Sequence, residues 1–475
     1  MLPVPEFDQL HIVSDLHMGG MAGFQIFRQG AKLAALIDNL RQRDPASKIA
    51  LLINGDMVDF LAEPGASYFD PRGAIPKLDR IASDAAFAPV FAALGRFAAT
   101  VNRQLIITLG NHDLELALPW VRAHLLEKLS GGDDSARGRI TLSFDGAGYA
   151  CSVGGSGVLC LHGNEVDTWN VTDFEALRRM GRDLLQARTV PDWTPNAGTK
   201  MVIDVMNAIK KRYAFVDLLK PEVEAVIPIL LALDEKQAPK LSKVIAVISH
   251  LTWDSLRRRT GFLSAGEESE VPSLALDEKA DPTGALDRLM RQTFQPPRTN
   301  QDSLLDYIEG EFDKGSDPLQ MLEPERRDQQ LGAVQAIADW FRGKPKHQVV
   351  LEALEKLEKD RSFDRTASDP TFERLNEWVG PGFNFIVAGH THLEREIPSA
   401  GRTYFNSGTW ASLIQLTAGM RSSPEKFKPV FDTLDKAQTI DQLVELLPGL
   451  VIEKPGVVSI QRDGGAARGS LHHAE

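Results

Sequence analysis

The sequence predicts an α/β protein built on a parallel sheet and interrupted by a long, mostly helical insertion. Short apolar runs end abruptly in Gly, Asp or His, and amphipathic helical stretches separate them. The pattern stops near residue 170 and resumes near residue 380. Alternation of strand and helix marks parallel α/β units, and their ligands gather beyond the carboxyl ends of the strands.

Residues 10–14 read as a strand running into Asp15-Leu16-His17, after which Gly19 and Gly20 open a loop. Leu33, Leu36, Ile37 and Leu40 then follow the spacing of one buried helical face. The apolar run 48–53 stops at Asn54-Gly55-Asp56-Met57-Val58-Asp59, which leaves the Asp56 carboxylate at a sheet edge. A second helix carries Phe87, Phe91, Leu94 and Ala98 on one face, with Ser83 or Asp84 expected to cap its start. Strand 104–109 leads into Gly110-Asn111-His112-Asp113.

From residue 139 the pattern changes to short alternating strands, 140–144 and 149–153. A Gly154-Gly155-Ser156-Gly157 turn follows, and then strand 158–161 delivers His162. These strands are expected to form a hairpin region with a second sheet. Cys151 and Cys160 stand symmetrically about the turn and are expected to face each other as reduced thiols.

Residues 171–380 differ from what precedes them. Val202, Val205, Met206, Ile209 and Tyr213 line one side of a helical pattern at 201–214. Loop-like composition occupies 266–282 and 295–300, and helical patterns return at 303–312, 329–341 and 348–359. Strand 383–388 restores the α/β pattern and ends in Gly389-His390-Thr391-His392. Strand 402–405, helices across 423–447 and a hairpin of 457–461 with 467–471 complete the chain. The expected organisation is one core made of 1–170 and 381–475, with 171–380 inserted as a lid or substrate-selecting cap.

The bulk properties narrow the function. With 475 residues, 43% hydrophobic and 25% charged, the chain has an ordinary globular composition and room for several cores. A net charge of −12 argues against nonspecific nucleic-acid binding, which needs clustered Lys and Arg. It leaves room for an anionic substrate, because bound divalent ions invert the local field. Two cysteines make no disulfide framework. The start, Met1-Leu2-Pro3-Val4-Pro5-Glu6, lacks the basic and apolar regions of a secretory leader. The apolar run 225–233 is broken by Pro228 and is too short to span a membrane. A cytoplasmic location is therefore expected, with peripheral contact to a membrane left open.

Each strand end carries Asp, His or Asn and no Cys. Imidazole and carboxylate together suit borderline metals such as Mn, Fe, Zn, Ni or Co rather than a structural thiolate site. Asp15 and His17 are two apart, as are His390 and His392, so each pair is expected to face one way. Five of the eleven histidines, His17, His112, His162, His390 and His392, fall at these ends. Any one of them alone would be an ordinary satisfied histidine. The ordered set points to a metal site.

In their order, the blocks Asp-x-His, Gly-Asp, Gly-Asn-His-Asp, His and Gly-His-x-His resemble the calcineurin-like metallophosphoesterase superfamily over roughly residues 8–170 and 380–475. The resemblance implies two mixed β-sheets sandwiched between helices and a binuclear centre of divalent ions, manganese first among them. It assigns Asp15, His17, Asp56 and His392 to one metal and Asp56, Asn111, His162 and His390 to the other, so that Asp56 bridges. Such a pair lowers the pKa of a shared water and clamps the phosphate for in-line attack.

His112 resembles the family's non-ligand histidine, which steadies the phosphoryl group or protonates the departing oxygen. Asp113 is expected to orient the His112 ring. Asp59 is expected either to accept a hydrogen bond from a ligating histidine or simply to cap the following loop.

The implied activity is hydrolysis of a phosphodiester or pyrophosphate, on a small or lipid-linked substrate. Ser14-Asp15-Leu16-His17 and Gly55-Asp56-Met57-Val58-Asp59-Phe60 are similar to the UDP-2,3-diacylglucosamine hydrolase type. The chain departs from that type in having His112 where Arg is usual, and in the size of its insertion. Arg178, Arg179, Arg182, Arg188, Lys210, Lys211, Arg212, Arg257, Arg258 and Arg259 are candidates for further phosphate contacts or for solvated helix faces. A nuclease, and a nonenzymatic scaffold keeping the fold, are the alternatives.

Overall fold

The computed structural model describes residues 4–167, 169–220, 226–233, 345–354 and 361–474. These residues belong to a single compact unit, 1–233 together with 345–475. The helical patterns expected at 303–312 and 329–341, the loop at 266–282 and 295–300, and Arg257, Arg258 and Arg259 lie outside the described residues. So does the end of the pattern at 348–359, whose beginning falls in the helix Lys346–Ala353.

Two six-stranded sheets make the centre. In the first, β2 (Gln9–Val13), β3 (Ile49–Asn54), β4 (Arg103–Thr108) and β5 (Ile140–Ser143) run parallel. The terminal hairpin, β14 (Gly456–Asp463) with β15 (Ala466–His473), adds to it antiparallel alongside β2. The second sheet has the order β1 (Glu6–Phe7), β6 (Tyr149–Val153), β7 (Ser156–Cys160), β9 (Phe385–Ala388), β11 (Arg402–Ser407), β10 (Glu394–Ser399). A small third sheet joins β13 (Val451–Ile452), β12 (Leu413–Gln415) and β8 (Leu219–Lys220).

The central strands read as unbroken apolar runs because both of their faces are buried. Leu10, Ile12, Ala50, Leu52 and Ile106 point into a core shared with Val158, Val387 and Phe405 of the second sheet. Val13, Leu51, Ile53, Leu105 and Ile107 point the other way, onto Leu33 and Ile37 of the helix Gly30–Gln42 and Phe91 and Leu94 of the helix Ala88–Ala99. Beyond the second sheet, Ile386, Ala388 and Tyr404 pack with Leu375 of the helix Pro370–Trp378. Helix, sheet, sheet, helix is the expected sandwich of two mixed sheets. Among the described residues, no single helix is long and apolar enough to cross a membrane.

The structure revises several local expectations. The helix Ala74–Ser83 escapes the apolar pattern because its buried stripe, Ala74, Lys77, Leu78 and Ile81, contains a lysine. Asp84 does not cap the next helix as Ncap. It sits in the turn between the two helices, where its carbonyl oxygen accepts the Phe87 and Ala88 N–H groups. Strand β5 joins the first sheet rather than the hairpin region. Strand β10, with Pro398 and four charged or polar positions, hides as an edge strand. The helical pattern at 201–214 resolves into Ala197–Met201, a π-turn at Val202–Met206 and Asn207–Lys210.

The two cysteines are free and buried, but they do not face each other. The hairpin turns on Gly154-Gly155, two residues with left-handed φ, so Cys160 opposes Tyr149 and Cys151 opposes Val158. Burial pushes the Cys151 thiol up to about 12, which makes it an inert core residue.

Candidate metal centre

Every block singled out in the sequence lies just beyond a strand. Asp15 and His17 follow β2; Asp56 and Asp59 follow β3; Asn111, His112 and Asp113 follow β4; His162 follows β7; and His390 and His392 follow β9. Among the described residues, seven non-glycine residues have positive φ, and five of them are Asp15, His17, Asp56, His390 and His392. The shared direction within each pair therefore arises after the strand has ended, from left-handed backbone, rather than from strand alternation. Such conformations cost on the order of 1–3 kcal/mol each and persist where the surroundings over-determine them. Here the surroundings are hydrogen bonds between loops: His17 N–H to the Asp56 carbonyl oxygen at 2.9 Å and the Thr409 hydroxyl to the Asp15 carbonyl oxygen at 2.9 Å.

The glycines of the motifs are a matter of space. A methyl group at Gly110 would strike the carboxylate and backbone nitrogen of Asp56, and one at Gly389 would strike Ser14 Oγ and Asp15 Oδ2. The loops can converge only because these positions have no side chain.

At the centre, Asp56 Oδ2 lies 3.2 Å from His162 Nε2 and 3.6 Å from His17 Nε2. Its other oxygen, Oδ1, accepts the His112 N–H at 2.8 Å. Asp15 accepts the His390 N–H at 2.9 and 3.0 Å and also bonds Ser14 Oγ, with His392 Nε2 at 3.4 Å from Oδ1. The Nε2 atoms of His17 and His392 are 3.0 Å apart. Asn111 is buried, and its Oδ1 has no hydrogen-bond partner among the described residues. The structure thus gathers Asp15, His17, Asp56, His162 and His392 into overlapping clusters, with Asn111 on the neighbouring loop.

Asp59 makes contacts on both of the sides expected for it, to the following loop and to a histidine. Oδ1 accepts the Ala62 N–H of the following loop at 3.0 Å, while Oδ2 lies 3.2 Å from His17 Nδ1. The same oxygen lies 3.2 Å from His112 Nδ1. Asp113 does not orient that ring as expected. Its two oxygens accept the Gly110 and Met57 N–H groups, each at 2.8 Å, so it braces the loops that carry Asn111 and Asp56. The loop geometry after β4 turns Asp113 back toward the backbone and leaves His112 to Asp59.

Three supporting groups escaped the sequence reading. Asn54 accepts His162 Nδ1 through its carbonyl oxygen at 2.8 Å. Glu165 accepts the His162 and Gly163 N–H groups. Asp167 Oδ2 lies 2.8 Å from His390 Nε2. Only Glu165 left a local trace, as a carboxylate shortly after the delivered histidine.

The electrostatics follow from this crowding. Burial pushes the Asp56 and Asp59 carboxyls up, but the imidazoles around them outweigh it and hold both well below the usual range. Burial also opposes ionisation of Asp15, which the His392 bond and the His162 charge nevertheless bring to about 2. Burial pushes His112 down, while Asp59 and then Asp56 raise it to about 9. His162 goes to about 10 against burial, chiefly through Asp56. His392, where burial wins despite Asp15, falls to about 4. Asp113 has no imidazole bonded to it, and burial followed by the Asp56 charge raises it to about 8.

Three groups of side chains offer ligand atoms within 4.8 Å of one another: Asp15, His17 and His392; Asp15, Asp56 and His162; and His17, Asp59 and His112. Facing imidazole nitrogens, and the buried Asn111 Oδ1, which has no hydrogen-bond partner among the described residues, fit divalent cations. This sandwich brings oxygen and imidazole donors together at its strand ends, a donor set suited to divalent cations. Residues 9–213 match the family model of the calcineurin-like phosphoesterases, a family of metal-dependent hydrolases. The matched stretch includes Asp15, His17, Asp56, Asn111, His112 and His162, while His390 and His392 lie beyond it. No curated protein matches the chain.

Proposed function

We propose that the protein is a binuclear phosphodiesterase or pyrophosphatase. Asp15, His17, Asp56 and His392 would hold one divalent ion, and Asp56, Asn111, His162 and His390 the other. The observation that supports this reading best is the place of Asp56, with one oxygen between His17 and His162. When bound, the ions would supply Lewis acidity and lower the pKa of a shared water. Manganese is the first choice because carboxylate, amide oxygen and imidazole make up the whole donor set.

The chain's own groups do the rest. Asp56 and Asp15, held ionised, keep the site anionic until cations arrive. Asn111 contributes an oxygen without charge, which leaves the site electrophilic. His112, charged beside Asp59, steadies the phosphoryl oxygens and gives its proton to the departing oxygen.

The substrate is proposed to be a small or lipid-linked phosphoester, with residues 171–380 as the selecting segment, since that stretch leaves shortly after His162 and returns shortly before His390. Two reduced thiols suit a cytoplasmic setting. A nuclease gains no support from the basic helix Phe174–Leu185: Arg178 pairs with Glu175, and Arg182 and Arg188 with Asp183.

The test is metal content of the purified protein together with hydrolysis of bis-p-nitrophenyl phosphate. Two equivalents of metal are expected, with turnover abolished by chelation and restored by manganese. Two bound metals without turnover on a panel of phosphodiesters, nucleotides, nucleotide sugars and lipid pyrophosphates would instead favour a scaffold.

A further inference from the structure

The four histidines of the proposed centre are not presented alike. His162 directs Nδ1 to the Asn54 carbonyl oxygen at 2.8 Å, which leaves Nε2 facing Asp56 at 3.2 Å. His17 directs Nδ1 to Asp59 and turns Nε2 toward Nε2 of His392, which itself lies 3.4 Å from Asp15. His390 is reversed. Its Nε2 is the atom engaged by a carboxylate, 2.8 Å from Asp167 Oδ2, so only Nδ1 is left for a cation.

Asp167 is itself fixed in place. Oδ1 accepts the Trp169 N–H at 2.9 Å, and Oδ2 also accepts Asn170 Nδ2 at 2.7 Å. The turn that presents it begins at His162, whose N–H is held by Glu165 at 3.1 Å. The rings of His162 and His390 lie edge to face with centroids 5.3 Å apart. One short turn therefore sets two of the side chains assigned to the same ion. A carboxylate accepting the far N–H of a ligating imidazole fixes its tautomer and orientation and raises its basicity.

Resting on the binuclear reading above, we propose that Asp167 is a positioning residue that holds His390 as the Nε2–H tautomer. His390 then meets its cation through Nδ1, whereas His17, His162 and His392 use Nε2. Asp167 acts on one of the two ions and leaves the other untouched.

The test uses the full chain loaded with zinc and carrying 13C-labelled histidine, because ring carbon shifts distinguish Nδ1 from Nε2 coordination. Wild type is expected to show one Nδ1-bound and three Nε2-bound histidines. Asp167→Ala should weaken one zinc ion roughly 10–100-fold and erase the Nδ1 signature, while the other zinc ion keeps its wild-type affinity. Asp167→Asn, which keeps an acceptor oxygen, should recover part of the affinity. His390→Ala should weaken the same ion, and adding Asp167→Ala to it should cost nothing more. Wild-type affinity for both ions in Asp167→Ala, or four Nε2 signatures in wild type, overturns the proposal and leaves the two-metal reading standing. A wild type that binds fewer than two zinc ions overturns that reading, and the proposal with it.

Discussion

The first sheet brings the proposed carboxylate ligands to the site together with His17 and His112, whereas the second adds only imidazoles to the proposed ligand set. Asp15, Asp56, Asp59 and Asp113 follow β2, β3 and β4, while His162, His390 and His392 follow β7 and β9. All four carboxyl groups are buried, yet their acidities diverge. Asp15, Asp56 and Asp59, which touch imidazoles, are held low; Asp113, bonded only to backbone N–H groups, is pushed up to about 8. Glu115, buried close by and bonded to the Asp70 N–H, rises to about 7 for the same reason. Burial alone would neutralise every one of these acids. What keeps the proposed ligands Asp15 and Asp56 charged is the approach of the other sheet's histidines, helped at Asp56 by His112 and His17.

The variant that should break this contrast most severely is Asp56→Asn. It keeps the shape while removing the charge shared by both halves. Loss of both metals is expected, with turnover of bis-p-nitrophenyl phosphate falling on the order of 10³-fold or more. Retention of two metals would show that the halves do not meet through Asp56.

His112→Ala should cut less deeply. The ring pairs with Asp59 and is not one of the proposed ligands, so both metals should stay while turnover drops roughly 10²–10⁴-fold. Metal analysis alongside the rate separates the two effects, and loss of a metal here would make His112 a ligand.

Glu115→Gln sharpens the comparison from the carboxylate side alone. The Glu115 pKa is raised from 4.5 to about 7, so the stability it contributes is complete below pH 4.5 and is lost as the pH rises through about 7. The loss is on the order of 3 kcal/mol. The glutamine variant keeps an acceptor for Asp70 and cannot ionise. Urea unfolding at pH 5 and pH 8 should therefore show wild type losing stability relative to the variant at the higher pH. Parallel behaviour of the two proteins would mean that Glu115 ionises freely.

Much of the site was legible because its demands are local. Gly110 and Gly389 are needed where loops crowd Asp56 and Asp15, and Asp or His must occupy left-handed positions where few other side chains settle. Those requirements leave short motifs in the chain. The partner of His112 was misread because Asp113 is its neighbour in sequence, whereas Asp59 is its neighbour in space. The helix Ala74–Ser83 stayed hidden because Lys77 sits in its buried stripe, where it pairs with Asp70. The cysteines were read as facing because the turn was taken as four residues long; the two-residue turn shifts the register.

The sequence by itself determined the donor chemistry: which carboxylates, imidazoles and amide reach the strand ends, and in what order. Only the tertiary structure decided which ring nitrogen each histidine presents and which acid holds it. Asp167 and His390 are 223 positions apart, and no local pattern links them. Their meeting depends on the register between β7 and β9, which pairs Leu159 with Ile386 and brings the two following loops together. A hydrogen bond acts over about 3 Å, so a tautomer is settled only once both sheets are packed.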